Sequence, residues 1–129
     1  MFSRRGAATD KQLLGNAAEV RALAHLQQQG LHLVERNYRV ARGPNSRGGE
    51  IDLICRAPDG TLVFVEVRAR ADLRHGGAAA SVGGAKQRSL VLAARHYLRR
   101  YATLPPCRFD VVAIDGEALE WLPGAFEAS

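Results

Sequence analysis

Cysteine is scarce in this chain, which argues against a zinc site or a disulfide framework. Cys55 and Cys107 are the only cysteines; they are far apart, form no CxxC pair and have no histidine at zinc-finger spacing. No stretch approaches the roughly 18 consecutive apolar residues of a membrane span, and no apolar run follows the basic start of the chain. We therefore expect reduced thiols, no membrane partner and a cytoplasmic location.

Long polar tracts, low-complexity segments and internal repeats are also absent. The chain has 129 residues, of which 47% are hydrophobic. This length and composition suit one compact domain with one modest core, and leave no room for a second. We therefore predict a single domain over residues 1–129.

Lysine is nearly absent among the basic residues. Of the 18 Lys and Arg residues 16 are arginine, and against 13 acidic residues they give a formal net charge of +5. Net positive charge favours a polyanionic partner through Coulomb attraction and counterion release. The planar guanidinium also donates two hydrogen bonds to a phosphate at once. The composition thus points towards nucleic acid as a partner without proving one.

The spacing of apolar residues divides the chain into helices and strands of the α/β class. Leucine and alanine recur at helical spacing in two segments, and β-branched residues form several strand-like runs. The expected architecture is a mixed sheet of four or five strands flanked by helices. The predicted elements are a helix over 9–30, strands over 31–40, 51–55 and 61–70, a helix over 85–101, and strands over 107–114 and 118–122, with loops over 41–49 and 71–84.

The second and third strands predict a hairpin whose turn fixes their pairing. Pro58, Asp59 and Gly60 suit a three-residue loop in which the glycine takes a positive φ. Counting outward from this loop sets Asp52 directly opposite Glu66 on one face of the sheet. A two-residue loop would instead shift the register by one and turn Glu66 to the opposite face.

The two faces of this hairpin differ in character. One face is apolar and is the predicted core face, whereas the other begins apolar near the turn and ends with Asp52, Glu66 and Arg68. Adjacent carboxylates repel, so we expect a compensating cation, either Arg68 or a bound divalent ion. The ordinary alternative is a solvated ion-pair patch. The predicted core face comprises Ile51, Leu53, Cys55, Val63, Val65 and Val67.

Two further features favour a site at this end of the hairpin. The glycines of the segment RGGEID let a ligand approach the backbone. Glu19 lies in a small-residue segment of the first helix that can pack close to the sheet; an exposed Glu19 paired with Arg21 or Lys11 is the alternative. Asp110, by contrast, is interpreted as structural and paired with Arg108 or another basic residue.

Segments along nearly the whole chain resemble a known protein family. In order they are GNAAEVRALAHLQQQG, RN, GGEIDLI, FVEVRAR, AKQRSLVLAARHYL and RFDVVAI. Together they resemble the bacterial YraN-like family of poorly characterised, endonuclease-related proteins. Through that family the chain is similar to the PD-(D/E)xK nuclease superfamily, which includes restriction endonucleases and archaeal Holliday junction resolvases. The resemblance implies a restriction endonuclease-like fold.

The resemblance also implies a reaction and the residues that carry it. Asp52 and Glu66 match the acidic pair, Arg68 the basic third position and Glu19 the helix acid, with Mg²⁺ or Mn²⁺ held by the pair and the carbonyl of Val67. The implied reaction is metal-dependent hydrolysis of phosphodiester bonds in DNA, including branched DNA. The superfamily has lysine where this chain has Arg68, and arginine cannot act as a general base.

Basic residues of the loops and the second helix are expected to contact nucleic acid. Lys86 would meet phosphate at the helix N-terminus, with an ordinary solvated lysine as the alternative. Three interpretations stay open: an active nuclease, a non-catalytic nucleic-acid-binding domain with an impaired site, and a domain whose charged face mediates protein contacts. A homodimer is also open. The expected nucleic-acid contacts are Arg42, Arg47, Arg70, Lys86 and Arg88.

Overall fold

Two helices and five strands make up the fold. The computed structural model describes residues 10–44, 47–69 and 82–128, with side chains from residue 16 onward. Arg70 and most of the predicted loop over 71–84 lie outside the described residues. The elements in chain order are α1 (Asp10–Gln28), β1 (His32–Val40), β2 (Gly49–Arg56), β3 (Leu62–Ala69), α2 (Gly84–Leu98), β4 (Cys107–Asp115) and β5 (Ala118–Phe126).

The strands form one mixed sheet in the order β1-β2-β3-β4-β5. β3 and β4 are parallel, whereas the other neighbours are antiparallel. A parallel pair needs a long crossover connection, and α2 lies within it. The α/β class with a five-stranded mixed sheet flanked by two helices is thereby confirmed, and it is consistent with a restriction endonuclease-like fold. Neither described helix is long and apolar enough to cross a membrane.

A helix covers each face of the sheet, so the central strands are buried on both sides. On one face Leu53 and Val65 pack with Ala22 and Leu26 of α1. On the other face apolar residues of β2, β3 and β4 pack against α2. Burial on both faces is typical of strands in and beside a parallel pair. The hairpin face that the sequence showed as apolar only near its turn is therefore a second core. Its members include Ile54, Leu62, Phe64, Leu90, Ala93 and Tyr97.

The prediction for Ile51 is wrong. It was expected beside Leu53 on one face, but it packs in the α2 cluster with Ile54 and Phe64. The recorded pairing between β2 and β3 ends at Leu53. Beyond Leu53 the pairing with β3 no longer fixes which face each β2 side chain takes. Ile51 can therefore turn towards α2.

Gly49 allows the start of β2 to lie directly against α2. A Cβ atom at this position would fall inside contact distance of the Ser89 carbonyl oxygen and within 3.1 Å of the Ala93 nitrogen. The glycine was interpreted from the sequence as an opening for a ligand. The structure shows that helix backbone occupies the space of a Cβ at Gly49, whereas Gly48 and Gly49 also line a cavity, so the approach for a ligand stays a prediction.

We expect Gly49→Ala to destabilise the protein, because backbone atoms of α2 cannot yield as a flexible side chain would. The free energy of unfolding, measured by urea denaturation, should fall by about 1–3 kcal/mol. Gly43→Ala is the matched control, since a Cβ there meets nothing within 4 Å. Equal stability of the two variants would show that α2 does not pack on Gly49 as described.

Candidate functional site

The turn between β2 and β3 closes with three residues, as predicted. The N–H of Gly60 donates to the carbonyl of Ala57 at 2.9 Å, and the N–H of Ala57 donates to the carbonyl of Thr61 at 2.9 Å. Gly60 has φ +92°, a conformation that favours glycine. The Asp59 carboxylate accepts a further hydrogen bond from the Thr61 N–H at 3.0 Å. The loop length, and with it the register, is thus set locally.

This register brings the two predicted carboxylates together. Leu53 and Val65 are the last recorded partners, and Asp52 and Glu66 follow them on the two strands. The Val67 N–H donates to Asp52 Oδ2 at 2.8 Å, so a side-chain oxygen serves as its acceptor where the recorded strand pairing has ended. Asp52 and Glu66 lie within hydrogen-bonding reach of each other. The two carboxylates are therefore close together, as the predicted register requires, and their role as a metal site stays a prediction.

Glu66 is buried in a place where its charge is disfavoured. The residue is 2% exposed. Burial, and then the negative charge of Asp52, raise its pKa from 4.5 to about 8. Burial also raises the pKa of Asp52, although the hydrogen bond from Val67 and the charge of Lys86 act in the opposite direction. The pair therefore holds fewer than two charges near neutral pH.

Two cations lie close to Glu66 without completing the hydrogen bonds of its carboxyl group. Lys86 Nζ and Arg68 Nη1 each lie 3.5 Å from Glu66 Oε2. Glu66 Oε1 and Arg68 Nε are buried and have no hydrogen-bond partner among the described residues. The sequence predicted the approach of Arg68 but not that of Lys86. The order of the elements offered one indication of the Lys86 contact. The helix that follows β3 begins near the end of that strand, so a residue of its first turn can reach Glu66.

Glu19 of α1 lies near Asp52. Its side chain is 14% exposed, and Arg36 Nη2 lies 3.8 Å from Oε1. Burial first, and then the charge of Asp52, raise its pKa. Arg36 is thus its ion-pair partner, whereas Arg21, one of the two expected partners, donates to the carbonyls of Gly116 and Glu117. The charge of Asp52 acts on Glu19, but Glu19 is not part of the Asp52–Glu66 contact.

The donor set fits a magnesium-type ion rather than a closed zinc-type site. Among the described residues no group of three or more His, Cys, Asp or Glu side chains is arranged to hold a metal. Mg²⁺, however, usually binds through one or two carboxylates and keeps several waters. Asp52 and the unpartnered Glu66 Oε1 supply that number of ligands. The carbonyl of Val67 stays the predicted third ligand.

The basic residues expected to contact nucleic acid occupy different places. Arg42, Arg47 and Arg88 line one cavity, whose lining also includes Glu50 but not Asp52 or Glu66. Lys86 reaches Glu66, and Arg70 lies outside the described residues. Arg39 also lines the cavity and was missed, because within a strand its charge looks like an ordinary exposed one.

Asp110 is structural, as interpreted from the sequence. It is fully buried, and it accepts two hydrogen bonds from Arg108, at 3.0 and 3.2 Å. Two further hydrogen bonds come from Trp121 Nε1 at 3.0 Å and the Gly124 N–H at 2.9 Å. These bonds join β4 to β5 where their register shifts. All four hydrogen bonds of this carboxylate come from residues of β4 and β5.

Comparison with known proteins assigns a family. The model of a group described as "Uncharacterised protein family UPF0102" matches residues 18–114. The chain belongs to the UPF0102 family. It is 66% identical over 116 residues to a UPF0102 protein of Methylibium petroleiphilum, an alignment that covers 90% of this chain and 95% of that protein. It is 61% identical over 120 residues to a UPF0102 protein of Albidiferax ferrireducens, covering 93% and 91%. These names identify the family and specify no activity.

For this UPF0102 protein we expect the wild type to lose folding stability at high pH. The Glu66→Gln variant should not show this loss. The carboxyl ionises near pH 4.5 when unfolded but near pH 8 when folded, so the folded state binds the extra proton and the stability of the wild type falls as pH rises through this window. The variant should exceed the wild type by on the order of a few kcal/mol at pH 8.5 and by little at pH 5. Urea unfolding at both pH values measures this.

The matched control is Glu120→Gln, which removes the same charge from an exposed position. It should follow the pH dependence of the wild type. A wild type that gains stability between pH 5 and 8, relative to Glu66→Gln, would contradict the described environment of Glu66.

Proposed function

We propose that this UPF0102 protein is a metal-dependent nuclease that hydrolyses phosphodiester bonds in DNA, within the PD-(D/E)xK superfamily that its motifs resemble. The Asp52–Glu66 pair is the observation that carries the proposal. The two carboxylates interact while removed from water, and Glu66 has a pKa near 8 although two cations stand beside it. Such a pair is costly to hold. A divalent cation would relieve that cost and is the kind of ion that activates water in metal-assisted phosphodiester hydrolysis.

Each side chain of the site has a role that its position supports. When bound, Mg²⁺ or Mn²⁺ supplies a Lewis acid for phosphate and lowers the pKa of a bound water. Asp52 is held in one orientation by the Val67 N–H, so it is preorganised as a ligand. Arg68 and Lys86 sit where they can stabilise negative charge that develops on a phosphate. Glu19 lies near Asp52 and can orient water.

A second function is favoured by one specific observation. Arg68 stands where the resembling nucleases have lysine, and its guanidinium cannot give up a proton near neutral pH. Arg68 and Lys86 already lie beside Glu66, so the acidic pair can be partly neutralised without a metal. These features suit a non-catalytic nucleic-acid-binding domain with an impaired site. Metal binding and cleavage distinguish the two functions.

We expect the chain to cleave DNA in the presence of Mg²⁺ or Mn²⁺ and not in EDTA, on single-stranded, duplex or branched substrates. Asp52→Asn and Glu66→Gln should abolish cleavage. Arg68→Ala should reduce it by roughly 10²–10³-fold, because developing charge loses a nearby cation, while Arg68→Lys should preserve or raise it. Gel-based cleavage of labelled substrates under single-turnover conditions measures each rate, with exposed Glu120→Gln as the control.

Two outcomes would redirect the proposal. DNA binding without cleavage at any tested metal concentration would favour the non-catalytic domain. Cleavage unaffected by Asp52→Asn and Glu66→Gln would place the reaction at another site.

A further inference from the structure

A second feature lies near the carboxylate pair: a cavity of about 1020 Å³ between the β1–β2 connection and α2. Arg39, Arg42 and Arg47 line one side of it, and Arg88 of α2 lines the other. Glu50 also lines the cavity and is two residues from Asp52 along β2. The lining includes neither Asp52 nor Glu66, but the charge of Glu50 acts on Asp52, so a ligand in this cavity would lie near the acidic pair.

The cavity carries a surplus of positive charge. Glu50 is its one acidic lining residue and pairs with Arg39 at 3.4 Å. Arg42, Arg47 and Arg88 form no ion pair within the described part of the chain. Three of the lining arginines therefore have no counter-charge among the described residues. Because guanidinium matches the geometry of phosphate oxygens, this arrangement suits phosphate groups.

The start of α2 adds to this positive potential. Ala85, in the first turn of the helix, lines the cavity. Gly83 at the N-cap provides no side-chain hydrogen bond, and the first turn has no acidic residue. No carboxylate of the first turn itself therefore caps the free N–H groups or offsets the positive end of the helix dipole. An anion in the cavity would interact with them as well as with the arginines.

The described lining offers no aromatic platform for a base. Its described residues include no aromatic side chain, so bases cannot stack there on rings as they do in many single-strand-binding grooves. Duplex nucleic acid presents one phosphate charge per roughly 1.7 Å, against about 3.4 Å for a single strand. A cluster of unpaired arginines is therefore better matched to a duplex.

We propose that the arginine-lined cavity binds the sugar–phosphate backbone of duplex nucleic acid next to the bond that is cleaved, without selecting its sequence. The inference rests on the proposed function for its substrate. It adds that phosphate contacts at Arg42, Arg47 and Arg88 position the duplex. Base-edge contacts contribute nothing at this place.

The test is equilibrium binding in EDTA, so that its result does not depend on catalysis. Labelled duplexes of two scrambled sequences and a single strand of equal length are titrated from 50 to 200 mM salt. Arg47→Ala/Arg88→Ala removes two cavity arginines, whereas Arg95→Ala/Arg99→Ala removes two exposed arginines from the opposite end of α2. The two variants carry the same net charge, so any difference between them reports on position.

The cavity variant should lose about 1.8 from the slope of log affinity against log salt, at roughly 0.9 per phosphate contact. Its drop in affinity between 50 and 200 mM salt is then about tenfold smaller than that of the wild type. The control should lose much less, and Arg47→Lys/Arg88→Lys should recover most of the slope. Both duplex sequences should bind alike and more tightly than the single strand.

Equal losses in the two double variants, or a tenfold preference between the duplex sequences, would overturn the inference even if the protein cleaves DNA. Conversely, cavity-dependent binding without any cleavage would support the inference while the catalytic proposal fails. The two claims are therefore separable.

Discussion

The positive φ of Gly60 closes a three-residue turn, and this turn determines which residues of β2 and β3 face each other. A register shifted by one residue would carry Glu66 to the other side of the sheet. In the observed register Asp52 and Glu66 share one desolvated space. Lys86 is then brought to the pair by the crossover helix, Arg68 by the strand that carries Glu66, and Glu19 from α1. The loop thus sets the register up to Leu53 and Val65, and tertiary packing brings Lys86 and Glu19 to the pair.

Glu66 and Asp110 are both buried carboxylates of this sheet, but they differ in how fully their hydrogen bonds are satisfied. Asp110, on the neighbouring strand β4, accepts four hydrogen bonds from one arginine, one tryptophan and one main-chain amide. Glu66 keeps one buried oxygen without a hydrogen-bond partner among the described residues. The same sheet therefore satisfies one carboxylate fully and leaves the other incomplete. Incomplete satisfaction of a buried group is costly, and binding of a ligand that completes it would remove this cost.

Much of this site could be predicted from sequence because its determinants are local. The composition of the turn predicts a three-residue loop. The loop in turn predicts a register that brings Asp52 and Glu66 together. The parts that could not be predicted depend on tertiary packing. Gly49 packs closely against the backbone of α2, and Ile51 turns towards α2 where the recorded β2–β3 pairing has ended. Lys86 reaches Glu66 only because the crossover helix begins beside β3, and neither its charge nor its spacing along the chain indicates this contact.

The central claim is that Asp52 and Glu66 form a cation site that is partly protonated when empty. Metal ligands must lose their protons to bind, so a titration of Mg²⁺ by calorimetry at pH 7, in buffers with different ionisation enthalpies, tests the claim most directly. With the pKa of Glu66 at about 8, the account predicts release of most of one proton per bound ion, and neither binding nor release in Glu66→Gln. Binding whose heat is the same in every buffer, or binding that persists unchanged in Glu66→Gln, would contradict it.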